Sequence, residues 1–254
     1  MPQISAVIIT FNVEAFIERC LESLSGVADE IIVVDSYSTD STQEICSRHN
    51  VRFIAHTFNG YRDQKNYALS LTTYYHVLSL DADEALSEEL KKSILAIKEN
   101  WKYDGYKFNR LNNYCGQWIR HSKWYPDKQL RLFDSKKCKW GGFNIHEKVL
   151  MEKGSRVHKV KGNLLHWAYS SSEEHIEKIQ KYSTIAANEY YKAGRKAGPF
   201  TAVLHYSWSF FSSFILLLGF LDGYKGYLVC SITAYSSYLK YVKLRKLQKQ
   251  NPER

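Results

Sequence analysis

Two aspartates directly follow an apolar run in the stretch "LSLDADEAL", residues 78–86. If this segment stays extended, residues i and i+2 point to the same side, so Asp81 and Asp83 can face one ligand together. Paired carboxylate oxygens suit Mg²⁺ or Mn²⁺, and such an ion can bind substrate phosphates through its remaining positions. The same spacing is common in solvated loops, so the surrounding elements must decide between the two interpretations.

Short β-rich apolar runs alternate with stretches of helical periodicity in the first hundred residues. Strands are predicted at 4–10, 30–36, 51–58 and 74–80, and helices at 14–25, 41–48, 62–72 and 87–98. This alternation predicts an α/β fold, a mostly parallel sheet with helices on both faces. Ligands of such sheets bind at the carboxyl ends of the strands, and Asp81 and Asp83 come at such an end.

Polar residues also follow the first two predicted strands. Thr10, Asn12 and Glu14 come after the first, where they could hold a base, although Glu14 could equally interact with the dipole of the helix that begins there. Asp35 ends the second strand and could accept hydrogen bonds from a ribose or a base, or cap a turn. The sequence therefore predicts three polar clusters at one edge of the sheet.

The chain changes character after about residue 100. Short, aromatic, strand-like pieces between 105 and 169 predict a mixed-sheet extension, and a capping box at Ser171 predicts a helix that reaches about residue 193. We expect one domain at 1–195, whose first half, 1–100, carries the polar strand-end clusters and whose second half is 101–195. A helical region at 196–254 would follow a hinge at 193–199.

The C-terminal region is apolar and then basic. Residues 200–221 contain no Asp, Glu, Lys or Arg, which is about the length that spans a bilayer, but His205, Tyr206 and several serines dilute the apolar character. A second weakly apolar stretch, 227–239, ends in "KYVKLRKLQK". We favour amphipathic helices that lie in the headgroup layer, and a spanning hairpin or a dimerisation helix pair remain alternatives.

The formal net charge of +9 suits nucleic acid, anionic lipid or a phosphate-bearing substrate. The Lys/Arg cluster near the C-terminus would attract an anionic membrane surface, which explains the net charge better than nucleic acid does. We therefore expect no nucleic-acid partner. Five scattered cysteines without a CxxC pair argue against a zinc ribbon or a disulfide framework and indicate a reducing cytosol. The N-terminus lacks the features of a signal peptide. We therefore expect a cytoplasmic protein at the inner face of the cytoplasmic membrane.

Four motifs in the N-terminal half together resemble family 2 glycosyltransferases, which have the GT-A fold. These are "ISAVIITFNVEAFIERCLESL", "EIIVVDSYSTDST", "RDQKNYAL" and "LSLDADE". The later "WYPDKQLRLFD", "GGFNIHEKV" and "GFLDGYKGY" look like the lipopolysaccharide-core glucosyltransferase branch. The resemblance implies an inverting, metal-dependent transferase that moves a hexose, most simply glucose from UDP-glucose, onto a lipid-linked core oligosaccharide.

The resemblance also implies roles for individual residues. The residues carried over to nucleotide-sugar binding are Thr10, Phe11, Asn12, Glu14, Asp35, Arg62, Lys65, Asp81 and Ala82. Asp83 and Asp81 would bind Mg²⁺ or Mn²⁺, and His166 is a possible third ligand, although a histidine beside a tryptophan is commonly a core residue.

An inverting transferase needs one base on the far side of the sugar, to accept the proton of the acceptor hydroxyl. The resemblance favours Glu147 of "NIHEKV", with Asp127 and Glu84 in reserve. His146 would point to the opposite face of an extended segment.

Other classes of protein compete with this interpretation. A nicotinamide-dependent dehydrogenase is disfavoured because no GxGxxG follows the first strand and the first glycine is Gly26. A non-catalytic membrane-associated protein that binds nucleotide sugars, or acts as a scaffold, remains an alternative. The sequence leaves the oligomeric state open.

Overall fold

The computed structural model describes residues 1–142 and 147–250 of the 254-residue chain. His146, which was predicted to face away from Glu147, lies outside the described residues. The chain forms two compact units. The first comprises Met1–Arg110 and Asp127–His166, and the second comprises Leu111–Pro126 and Trp167–Arg254.

Strands and helices alternate through the N-terminal half. The strands are β1 (Ile4–Thr10), β2 (Glu30–Asp35), β3 (Arg52–Ala55), β4 (His76–Asp81), β5 (Glu84–Leu86), β6 (Gly105–Tyr114), β7 (Gln117–Ile119), β8 (Asp127–Asp134), β9 (Cys138–Gly141), β10 (Lys148–Met151) and β11 (Val157–Tyr169). The α-helices are α1 (Ile17–Leu24), α2 (Thr42–Ser47), α3 (Tyr61–Ser70), α4 (Glu88–Glu99), α5 (Ser172–Lys192), α6 (Thr201–Phe211) and α7 (Gly223–Gln250).

The first unit is built on a sheet with the order β3-β2-β1-β4-β8-β6-β11-β5. The strands β3, β2, β1 and β4 are parallel to one another, with Thr10 opposite Asp35 and Ile9 opposite Asp81. The carboxyl ends of β1, β2 and β4 therefore meet at one edge, as predicted. The α/β fold with a mostly parallel first half is confirmed.

Burial on both faces explains why β1 is an almost continuous apolar run. Ile4 and Ile8 pack with α1 residues such as Leu21, while Val7 packs on the other face with Ala68 of α3. The alternation of strand and helix in the sequence thus reflects a sheet covered by helices on its two sides.

The later strands pair antiparallel, which confirms the predicted mixed-sheet extension. β8 pairs with β4 and with β6, and β6 is irregular between Tyr106 and Lys107. β11 pairs with β5 so that His166 lies opposite Glu84. A separate hairpin of β9 and β10 places Lys148 opposite Gly141.

Some helices and strands begin or end at other residues than predicted, because tertiary contacts decide these boundaries and the local sequence pattern does not. The strand predicted at 51–58 ends at Ala55. The helix predicted from residue 14 begins at Ile17, because Glu14 is held by the loop after β2. The predicted caps at Ser87 and Ser171 are confirmed, since both hydroxyls accept a backbone hydrogen bond from the residue three positions on.

The second unit is largely helical. Its core contains Tyr114, Ile119, Ile179 of α5 and Val229 of α7. The Lys243 ammonium of α7 donates hydrogen bonds to the Gln180 carbonyl (2.7 Å) and other oxygens of α5. Because α5 groups with the C-terminal helices, the predicted boundary at residue 195 does not coincide with the division between the compact units.

Helix α6 exposes its large apolar side chains and buries small ones. Ala202 and Ser209 are buried, whereas Leu204 and Trp208 are 66% and 62% exposed. Among the described residues, no single helix is long and apolar enough to cross a membrane. The helical stretches Thr201–Leu216 and Gly219–Gln250 pass the length and composition test only as a pair, and they are bent by 73°.

Candidate active site

The ends of β1 and β2 are joined by hydrogen bonds to a buried carboxylate. Asp35 is almost fully buried, and its Oδ1 accepts hydrogen bonds from Thr10 Oγ1 (2.7 Å) and Ser38 Oγ (2.6 Å). The Ser38 amide donates to its Oδ2 at 2.7 Å. A buried carboxylate needs such donors, so Asp35 fixes the two strand ends relative to each other.

Asn12 and Glu14 connect the loop after β1 to the loop after β2. The Thr39 amide donates to Asn12 Oδ1 at 2.8 Å, and the Ser41 amide donates to Glu14 Oε2 at 2.9 Å. Asn12 has a φ of 50°, a left-handed conformation that asparagine tolerates better than most residues. Both side chains therefore shape the loops that would surround a nucleotide.

Three other predicted nucleotide-binding residues have different surroundings. Phe11 is 60% exposed, beside the loop that Asn12 and Glu14 hold. Ala82 is buried in the turn after β4. Arg62 is half-exposed and pairs with its neighbour Asp63 at 2.9 Å.

Asp81, at the end of β4, lies between two cations. Its Oδ1 is 2.8 Å from the Lys65 ammonium of α3, and its Oδ2 pairs with the Arg131 guanidinium of β8. Burial alone would raise the pKa of Asp81, but the charges of Arg131 and Lys65 outweigh it and hold this pKa well below its usual range. Asp81 is therefore a carboxylate at neutral pH.

Lys65 joins Asp81 to the predicted base. Its ammonium also donates to Glu147 Oε1 at 2.9 Å and lies 4.5 Å from the centre of the Trp140 ring. Lys65 and Glu147 are 82 positions apart in the chain. The fold thus brings Glu147, just before β10, to the carboxyl end of β4.

A buried charge network continues from Asp81 along the sheet. Arg131 pairs with Glu84 at 2.6 Å, and Arg110 pairs with Glu84 and, at 2.7 Å, with Asp127. Burial alone would lower the pKa of Arg131, but Asp81 and Glu84 raise it above its usual value. Glu84 and Asp127, the reserve candidates for the base, are thus partners of arginines.

Arg110 and Arg131 were missed by the sequence analysis. Arg131 alternates with leucines in "KQLRLF", a pattern that is typical of a strand with one solvent-exposed face, and only Arg131, Leu132 and Phe133 of β8 are buried. No local pattern therefore predicts that this arginine has a buried carboxylate partner.

The three predicted metal ligands separate into two groups. Residues 82–83 form a turn, so the extended geometry expected for Asp81 and Asp83 does not hold. Asp83 Oδ2 instead lies 3.4 Å from His166 Nε2, which β11 supplies. Within residues 1–142 and 147–250, no cluster of three or more His, Cys, Asp or Glu side chains is arranged as a metal site.

Asp83 and His166 could bind a divalent ion whose remaining ligands come from water and the substrate. A carboxylate oxygen and an imidazole nitrogen at this separation can both reach one ion, and Asp83 is 39% exposed. Mg²⁺ sites commonly use one or two protein ligands and take the rest from water and phosphates. The donor set therefore fits a metal that is shared with a diphosphate.

Solved protein structures are similar to this chain over different spans. For Staphylococcus aureus TarS residues 1–349 in complex with UDP, the TM-score is 0.47 at 16% identity, over 99% of this chain and 91% of that one. The chain spans 45% of a longer TarS chain. For Mycobacterium tuberculosis glucosyl-3-phosphoglycerate synthase with Mn²⁺, UDP-glucose and phosphoglyceric acid, the TM-score is 0.36 at 24% identity, over 42% and 43% of the chains.

Relatives by sequence cover most of the chain. An uncharacterized glycosyltransferase of Rickettsia typhi is 31% identical over 92% of this chain and 84% of its own length. The lipopolysaccharide core biosynthesis glycosyltransferase LpsC of Rhizobium meliloti is 28% identical over 91% and 90%. The family model described as glycosyl transferase family 2 matches residues 5–155. With the strand-end site, this match shows that the chain is a glycosyltransferase and belongs to glycosyl transferase family 2.

Proposed function

We propose that this glycosyltransferase moves glucose from UDP-glucose, with inversion, onto a lipid-linked lipopolysaccharide or lipooligosaccharide core acceptor. The observation that carries the proposal is the Lys65 ammonium, 2.8 Å from Asp81 and 2.9 Å from Glu147. It sets a carboxylate suited to act as a base beside the sheet edge where a nucleotide sugar would bind. The name of the LpsC relative supports the class of acceptor.

The donor would occupy the ends of β1, β2 and β4. Asp35 and Thr10 hold the floor of this edge, and the exposed Phe11 ring offers a face for a base. Asp83 and His166 would hold Mg²⁺ or Mn²⁺, which would supply positive charge to the diphosphate as it leaves.

The proposed reaction is a single displacement. The acceptor oxygen forms a bond to the anomeric carbon while the bond from that carbon to the diphosphate oxygen breaks, and the electron pair leaves with UDP. Glu147 accepts the proton of the acceptor hydroxyl. Because Lys65 fixes one oxygen of Glu147, the carboxylate is oriented before the acceptor binds.

The exposed face of α6 supports a location at the inner face of the cytoplasmic membrane. Phe200, Leu204, Trp208 and Phe211 recur at helical spacing and are all exposed, Phe200 by 73%. Apolar residues of this size on one face suit insertion into the headgroup layer. The lysines and arginine of "KLRKLQK" at the end of α7 suit anionic lipid.

The donor half of the proposal is tested by thermal unfolding of the full chain with nucleotide sugars, with and without Mn²⁺. UDP-glucose with Mn²⁺ should raise Tm more than other nucleotide sugars, because a ligand stabilises the state that binds it. Asp83→Ala and His166→Ala should each remove the Mn²⁺-dependent part. Glu89→Ala, at an exposed glutamate on α4, should retain it. No stabilisation by any UDP-sugar would contradict the proposal.

The reaction itself is tested by UDP release and by the anomeric configuration of the product. A β-linked product from the α-linked donor, read from its proton NMR coupling, is expected for inversion. A product that retains the α configuration would exclude the single displacement at Glu147.

A further inference from the structure

A cleft of about 680 Å³ in the first unit carries more positive charge than the proposed donor chemistry uses. Asp81 and Glu147 line it, so it adjoins the proposed base. Its cationic lining residues are Lys65, Lys107, Arg110, Lys128, Arg131 and Lys148.

Half of these cations are compensated by carboxylates. Lys65 pairs with Asp81 and Glu147, and the two arginines belong to the network with Glu84 and Asp127. In the part of the chain that the structure describes, Lys107, Lys128 and Lys148 have neither an ion pair nor a side-chain hydrogen bond. All three are exposed.

The three lysines come from the mixed-sheet extension. Lys107 is on β6, Lys128 is on β8 and Lys148 begins β10, directly after Glu147. Lys107 is opposite Leu130 in the β6–β8 ladder, and Asn109 is opposite Lys128, so the first two lie close along one strand pair. The ends of β1 and β2, where the nucleotide would bind, contribute no side chain to the lining of this cleft.

Three uncompensated ammonium groups around one concave site repel one another and attract an anion. In the proposed function, the leaving diphosphate would be neutralised by the divalent ion that Asp83 and His166 would hold. The remaining positive charge therefore faces the other substrate.

We propose that the acceptor is acidic: it carries a phosphate or carboxylate group near the accepting hydroxyl, and Lys107, Lys128 and Lys148 bind that group. This inference rests on the proposed function, in which Glu147 activates the acceptor. It adds the chemical class of the acceptor and the residues that select it.

The direct test is a calorimetric titration of inorganic phosphate, and separately of acetate, into the full chain saturated with UDP and Mg²⁺. The wild type should bind one anion per chain, and the preferred anion reports whether the group is a phosphate or a carboxylate. Lys107→Gln/Lys128→Gln/Lys148→Gln should weaken this binding at least tenfold. A matched variant, Lys92→Gln/Lys159→Gln/Lys161→Gln, removes three exposed lysines of the same unit that do not line the cleft, and it should bind like the wild type.

Absence of anion binding by the wild type, or equal weakening in the two triple variants, would overturn the acidic-acceptor proposal. UDP-glucose hydrolysis without acceptor reports separately on the proposed function. An active wild type that binds no anion would fail only the further inference.

A kinetic measurement tests which acidic group of the acceptor the lysines bind. Purified core lipooligosaccharide is used intact, after dephosphorylation with hydrofluoric acid, and after carboxyl reduction. One of the two treatments should raise the KM of the wild type for acceptor at least tenfold, and the cleft variant should no longer respond to that treatment. An equal rise in the KM for UDP-glucose in the cleft variant would assign the lysines to the donor diphosphate and overturn the proposal.

Discussion

The two compact units differ in which unfavourable arrangement they contain: the first buries charged side chains, and the second exposes large apolar ones. The first unit buries charges, among them Asp35, Glu84 and Arg131, and gives each a hydrogen-bond or ion-pair partner. The second unit exposes large apolar side chains such as Leu204 and Trp208. Buried charge indicates a prepared reaction site, whereas exposed apolar surface indicates a partner or a lipid phase.

Removing the proposed base should give the largest effect and would test whether the buried charges take part in the reaction. Glu147→Gln keeps the size of the side chain and the contact with Lys65 but cannot accept a proton at neutral pH. We expect kcat for transfer to fall by about 10³, within the range that general bases contribute. Steady-state kinetics with UDP-glucose would measure it, and the KM for donor should change little.

Glu152→Gln, at an exposed glutamate just after β10, is the matched control and should keep full activity. Near-normal turnover by Glu147→Gln would show that the charged network of the first unit is structural.

Breaking the buried network should be the next largest effect. Arg131 lies between Asp81 and Glu84, and Arg131→Met removes this cation from both carboxylates. Loss of one partner of a buried ion pair lowers the free energy of unfolding by about 3 kcal/mol or more. Chemical denaturation of the two proteins would measure this change in the free energy of unfolding.

An exposed ion pair provides the comparison. Lys137 and Asp104 are also 2.6 Å apart, but Lys137 is half-exposed, so Lys137→Met should change stability far less than Arg131→Met. Similar losses in the two variants would show that burial does not set the strength of these pairs.

The strands were more predictable than the site. β1, β2 and β4 have apolar runs that read directly as buried strands, and their order along the chain predicts the shared edge. Lys65 and Glu147 were both predicted from the family resemblance, but their contact spans 82 positions and no local pattern encodes it. The turn at 82–83, which separates Asp83 from Asp81, depends on the pairing of β5 with β11.

The apolar side of the comparison predicts a smaller effect, on membrane binding. Leu204→Gln/Trp208→Gln removes two exposed apolar side chains from α6. Partial burial of a leucine and a tryptophan in lipid would contribute about 3 kcal/mol, so partitioning into vesicles should weaken about 100-fold. Co-sedimentation with vesicles of phosphatidylcholine and phosphatidylglycerol would measure it.

Leu95→Gln, which removes an exposed leucine of α4 in the first unit, is the control and should bind vesicles like the wild type. If the wild type does not sediment with vesicles, the proposal that this surface binds a membrane is wrong.

The smallest expected effect concerns how the second unit buries a titratable group. His175 is buried against Tyr169, with ring centres 4.2 Å apart, and this burial lowers the pKa of His175 to about 4. A histidine whose pKa falls on folding must stay neutral in the native state. Above the unfolded pKa near 6.5, His175 does not change the free energy of unfolding with pH. As the pH falls from there towards 4, the free energy of unfolding decreases.

Between pH 7 and pH 5, His175 should therefore remove about 2 kcal/mol from the free energy of unfolding. His175→Phe keeps an aromatic ring in the stack and removes the titration, so its stability should fall less over the same range. Urea unfolding of both proteins at the two pH values isolates this difference. If the free energy of unfolding of the variant has the same pH dependence as that of the wild type, folding does not lower the pKa of His175.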